Sequence, residues 1–268
     1  MEPTAVPPAP STGDTGPGSA GNITFPRVRR IGFGASLEWL RRGWRDLWRQ
    51  PAASLCYGIA IAVFGAVILG VTASLPYLFA TAITGFLLVA PTLLAGLYEL
   101  SRRYLAGEPA SLRDSLRAWR RNPSGLAGFG LMSILAGTAW QVASVVIVAL
   151  FYQGRAMRPL DMIVEVVINP QHALMFFIYV GAGGVLAAVV FALSVVSMPM
   201  LIDRRCDLLS TLGTSINTVA ANPLPLAFWA LIIMVLTGLG FATALVGLVI
   251  VMPWLGHASF HAYKELVE

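Results

Sequence analysis

SLRAWRRNPSGLAGFGLMSILA, residues 115–136, reads as three things in sequence: a short basic amphipathic segment, an Asn-Pro break, and a charge-free apolar run. The same construction opens at Trp44 (WRDLWRQPAASLCYGIAIAVF) and again at Ser215 (SINTVAANPLPLAFWALIIMV). Proline suits the first turn of a helix, where its missing N–H would have no intrahelical partner, so each break marks the start of an apolar helix. Three such units predict an all-α polytopic membrane protein: six transmembrane helices arranged as three amphipathic-helix-plus-hairpin repeats.

Composition supports that medium. Mean hydropathy is +0.74 and only 12% of residues are charged, about half of what a soluble domain carries. The charges are also segregated: none occurs between Arg49 and Glu99, Arg121 and Arg155, Glu165 and Asp203, or Asp207 and Lys264. A spanning helix needs about 20 predominantly apolar residues, and a charge at its centre costs on the order of 3 kcal/mol. These runs therefore read as helix pairs within a bilayer, with spans near 52–72, 77–100, 125–151, 172–201, 224–238 and 240–256. The last two share only a short stretch, divided at Gly238-Leu239-Gly240, and a single tilted span there is the alternative. Small residues four apart (Ala62/Ala66/Gly70, Ser133/Gly137, Gly184/Ala188, Gly240/Ala244) permit close helix contact in lipid.

Outside the spans, residues 1–26 are rich in Pro, Gly, Ser and Thr and carry only Glu2 and Asp14, which predicts a disordered tail ahead of a membrane domain over 27–268. They lack the basic and apolar regions of a signal peptide. In residues 27–49, Leu37, Leu40, Trp44, Leu47 and Trp48 recur at helical spacing, with Arg41, Arg42, Arg45 and Arg49 expected on another face, as in a helix lying among headgroups. Residues 112–121 repeat the pattern with Arg117, Arg120 and Arg121, and 160–168 form a less charged apolar stripe. On the six-helix plan sixteen of the eighteen Lys and Arg residues fall on one side, against Arg155 and Arg158 on the other. The positive-inside rule then places both termini in the cytoplasm. That distribution accounts for the pI of about 9.6 without nucleic acid, and two unpaired cysteines, Cys56 and Cys206, have no disulfide or metal spacing.

The runs 37–61 (LEWLRRGWRDLWRQPAASLCYGIAI), 91–109 (PTLLAGLYELSRRYLAGEP), 111–123 and 198–223 resemble the DUF2189 family of bacterial integral membrane proteins of unknown function. Gly43-Trp44-Arg45-Asp46 and Gly96-Leu97-Tyr98-Glu99 are the most specific parts of the resemblance. It implies a six-helix inner-membrane protein and carries over no catalytic or ligand residues.

Candidate chemistry is sparse. His257 and His261 lie four apart, a spacing that zinc or haem can use, but a site needs three or four ligands and His172 is expected across the membrane. The two are expected to be juxtamembrane polar residues, with no metal and no cofactor. Glu99 and Asp203 each follow a helix-ending proline, so a threefold packing of the repeats would gather them with Arg102 and Arg205 into a cytoplasmic polar cluster that binds an anionic headgroup or seals helix ends. No intramembrane carboxylate pair and no phosphate loop supports catalysis. The expected role is non-enzymatic: binding lipid, with anionic headgroups as partners of the basic helices, or supporting another membrane complex. A channel or transporter for a neutral or amphipathic solute is the alternative, although the spans lack the ionisable residues that usually mark such paths.

Overall fold

The computed structural model describes residues 26–73, 93–152 and 169–268. The expected tail (but for Pro26), residues 77–92 of the expected second span and the stripe at 160–168 lie outside them. The described residues are helical, with one isolated antiparallel bridge between Val28 and Val267. Ten α-helices follow in order: α1 (Ala35–Arg49), α2 (Pro51–Ala73), α3 (Ala95–Ala106), α4 (Leu112–Ser115), α5 (Pro123–Phe151), α6 (Ala173–Ser194), α7 (Ser197–Asp203), α8 (Leu208–Ala221), α9 (Pro223–Ala242) and α10 (Leu248–Leu266). A 3-10 turn at Leu116–Arg120 continues α4.

All three X-Pro breaks start an apolar helix: α2 at Pro51, α5 at Pro123, α9 at Pro223. The two asparagines also tie distant chain to those starts. Asn122 accepts from Gly125 N at 3.0 Å, capping α5, while its amide donates to the Cys206 carbonyl at 2.8 Å. Asn222 accepts from Ile31 N at 2.9 Å and donates to the Arg29 carbonyl at 3.0 Å, so it holds the N-terminal segment rather than capping its own helix.

Among the described residues four helical stretches are long and apolar enough to cross a membrane: Pro51–Val71, Pro123–Phe151, Pro170–Asp203 and Pro223–Ala242. Their large side chains face outward. Phe177 is 69% exposed and Leu150 68%, as are Val67, Leu135, Val185 and Met234 to similar degrees, while Ser210, Thr211, Thr214, Ser215 and Thr218 of α8 are buried. An apolar exterior over a partly polar interior is the reverse of a water-soluble packing and suits hydrocarbon.

Among the described helices the last one buries the most residues. Twelve residues of α10 are buried, from Leu248 to Leu266, and it packs against α1, α2, α3 and α9. It meets α1 at Gly43, where an added Cβ would lie 2.6 Å from Ala258 N. The chain thus turns back after α9, and α10 is a separate helix. The reversal occupies residues 243–247, not Gly238–Gly240 as the sequence suggested. Gly240 serves close approach to Leu248, and Ala244 and Leu245 take the positive φ values of the turn at 51° and 72°. The return brings the two ends of the described chain together: Arg29 N donates to Leu266 O at 2.9 Å and Glu268 N to Arg27 O at 3.0 Å, so residues 27–29 and 266–268 lie on one face of the molecule.

On α1 the arginines do not avoid the aromatics. Trp39, Gly43, Asp46 and Leu47 face the protein, while Leu37, Trp44 and Trp48 are exposed together with Arg41 and Arg45. One face of this helix is spent on α10, so cations and outward aromatics share the other.

Candidate functional site

His257 and His261, expected as juxtamembrane polar residues, are buried within the protein, at 0% and 5% exposure. They lie beyond the apolar run that ends at Gly256 and belong to a network joining four helices. Asp46 of α1, 3% exposed, accepts through Oδ2 from Ser101 Oγ of α3 at 2.9 Å and pairs with His261 Nε2 of α10 at 2.7 Å. Arg49 Nη1 lies 3.3 Å from Asp46 Oδ1. His257 Nδ1 is 2.8 Å from Ser101 Oγ, and its Nε2 is 3.0 Å from Ser54 Oγ of α2.

Proton accounting assigns the His257 tautomer. A carboxylate only accepts, so the single hydroxyl proton of Ser101 goes to Asp46; Ser101 Oγ must then accept from Nδ1–H, leaving Nε2 to accept from the Ser54 hydroxyl. The order Ser54, His257, Ser101, Asp46 is that of a hydroxyl, a base and an orienting acid. Ser54, however, is fully buried, and a substrate would need an access path that the described residues leave closed. What the network does in this geometry is lock α1, α2, α3 and α10 together. Beside it Arg49 stands 5.5 Å over the ring of Tyr104, whose hydroxyl is buried and has no hydrogen-bond partner among the described residues.

The electrostatics follow. Burial alone would raise the Asp46 carboxyl, but the hydrogen bond and charge of His261, the charge of His257 and the Ser101 hydroxyl hold it below the usual carboxylate value. Burial pushes the His257 imidazole down to about 4, against a partial opposing pull from Asp46. The folded protein therefore takes a proton on His257 only below that value, whereas the unfolded chain does so near 6.5. Stability is present above pH 6.5 and falls as pH drops from there toward 4, by about 3 kcal/mol in all. The thermal unfolding midpoint in detergent is expected to fall steeply over that window and to flatten in His257→Gln. A flat wild-type profile would contradict the assignment.

The other candidates separate. Glu99, 2% exposed, is held by Arg102 Nε at 2.9 Å, Arg103 Nε at 2.9 Å and Arg121 Nη1 at 3.3 Å, and Arg102 reaches on to Glu108 at 3.1 Å. Asp203 takes the Tyr263 hydroxyl at 2.8 Å and Lys264 at 3.1 Å, with Arg204 donating to the same hydroxyl at 2.9 Å. The anticipated single cluster of Glu99, Arg102, Asp203 and Arg205 is thus two ion-pair groups that share no partner among the described residues; Arg204 takes the place expected of Arg205, which is exposed. Of the interfacial arginines, Arg41 and Arg42 bind Glu38 at 2.9 and 2.8 Å and Arg117 binds Asp114 at 3.1 Å. Arg120 and Arg45 are exposed and have no carboxylate partner among the described residues. Both ring nitrogens of His257 are committed to Ser54 and Ser101 and His261 Nε2 to Asp46, and the described residues hold no group of three metal-type side chains.

On the outer side of α1, Arg41, Trp44, Arg45, Trp48 and Arg49 line an open groove of about 540 Å³. Trp44 packs edge-on against Trp48 at 5.7 Å and against Trp254 of α10 at 5.1 Å.

A family model described as a predicted integral membrane protein, DUF2189, matches residues 78–203. The resemblance holds over that stretch, which includes Gly96–Glu99 and leaves out Gly43–Asp46. No curated protein and no solved structure matches the chain.

Proposed function

We propose, for a chain with this family match, a non-enzymatic multi-pass inner-membrane protein that holds anionic lipid headgroups along α1 or supports another membrane complex through it. The observation that carries the reading is the α1 groove, where exposed Trp44 and Trp48 alternate with Arg41, Arg45 and Arg49. Amphipathic aromatics favour the level between headgroups and acyl chains, and arginines beside them run their apolar stems along the same surface while the guanidinium reaches phosphate. The six-span, three-unit plan belongs to this proposal, with the α3 stretch ending a second span. So does a cytoplasmic placement of the joined termini, which the arginine distribution supports. Transport gains no observation here: α2, α5, α6 and α9 carry no Asp, Glu, Lys, Arg or His.

Each cation near an anionic surface contributes about 1 kcal/mol, or roughly fivefold in affinity. Arg45 and Arg120, without a carboxylate partner among the described residues, are the informative positions. The Arg45→Gln/Arg120→Gln protein is expected to fold normally and to bind vesicles containing phosphatidylglycerol about 25-fold more weakly than wild type. Equal binding by the two proteins would remove the lipid role.

A further inference from the structure

A second cavity, of about 480 Å³, lies where the N-terminal segment, α1 and α10 meet, and is lined by Arg29, Arg30, Arg42, His261, Lys264 and Glu265. We propose that it is a binding site for a phosphate group, carried either by a lipid head or by a small soluble phosphate. Four permanent cations from three chain segments converge on a space of ligand size. The single carboxylate on the lining is already engaged, Glu265 accepting from Trp39 Nε1 at 3.0 Å and standing 3.9 Å from Arg42. Arg30 has no carboxylate partner among the described residues. Arg29 and Lys264 are paired to Glu268 and Asp203, but their side chains are 57% and 41% exposed, and such pairs contribute little and exchange readily for a better acceptor.

The wall is preformed. The backbone at Arg29 is fixed on both sides, its N–H on Leu266 O and its carbonyl on the Asn222 amide, and Ile31 N is held by Asn222 Oδ1. Guanidinium groups presented from such a backbone add no main-chain ordering cost when they close two-pronged hydrogen bonds around phosphate oxygens. At the floor, His261 joins the cavity to Asp46 and hence to the four-helix network. The cavity and the aromatic groove share no lining residue.

The test uses the full-length protein, delipidated in neutral detergent, with native mass spectrometry and the thermal midpoint as readouts. One arm titrates inorganic phosphate and pyrophosphate; the other titrates short-chain phosphatidic acid. Wild type is expected to take up one phosphate-bearing molecule with a rise in midpoint. Arg30→Gln/Lys264→Gln is expected to weaken that uptake about tenfold or more, Arg30→Lys to weaken it less, and Arg45→Gln to leave it unchanged. Uptake in either arm supports the site, and the arm that binds identifies the source. Absence of a one-to-one adduct in both arms, or an equal loss in Arg45→Gln, overturns it; the latter result leaves the α1 groove reading standing.

Discussion

Asp46→Ala is expected to destabilise the protein by about 3–5 kcal/mol, because it removes the acceptor at the centre of a buried network and leaves the donors of Ser101 and His261 without a partner. For a chain of this size that corresponds to a drop in the thermal midpoint on the order of 10 °C. Coupling is the sharper measurement. Ser101 and His261 both act through Asp46 Oδ2, so Asp46→Ala/His261→Ala should cost clearly less than the two single changes added together. Asp46→Asn, which keeps one acceptor oxygen, should fall between wild type and Asp46→Ala. Additive losses, or an alanine variant within about 1 kcal/mol of wild type, would mean that the network does not hold the helices.

How much of this could be read in advance depended on whether the signal was local. The start of each apolar helix at Pro51, Pro123 and Pro223 was legible because the proline ring acts on its own turn. The outward apolar faces were legible because the charge gaps are long. The Asp46 network was not, since Asp46 and His261 are 215 positions apart and Ser54 and Ser101 have no distinctive neighbours. One signal was present: a lone aspartate among four arginines on a helix that needed a protein-facing side. The histidine spacing was legible, but a pair four apart gives no sign that its partners are Ser54, Ser101 and Asp46. The α1 wheel misled in the same way, as periodicity identifies a stripe without saying which medium each side meets. At the last hairpin, glycine was taken as the sign of a turn, whereas in lipid its commoner use is close helix contact. Gly240 faces Leu248, and the turn fell to Ala244 and Leu245.

That use of glycine sets the second large expectation. At Gly58 of α2 an added Cβ would collide with the backbone carbonyl of Val249 on α10. Since the obstacle is main chain within a helix, it cannot rotate away; α2 and α10 must separate. Ser54 lies one turn earlier on α2 and donates to His257 Nε2 at 3.0 Å, so separation also stretches the link between α2 and the network. Gly58→Val is therefore expected to cost about 3 kcal/mol, the upper end for overpacking, and to reduce the steepness of the acid dependence that His257 confers. Gly70→Val on the same helix is the control: nothing of the described chain lies within 4 Å of its Cβ, and in a lipid-facing helix the change should be close to neutral. Paired thermal midpoints of the two variants in detergent, each taken at pH 7.5 and pH 5, decide the matter. If Gly58→Val melts with Gly70→Val at both, then α2 and α10 are not in contact at Val249, and the central position of α10 is wrong with it.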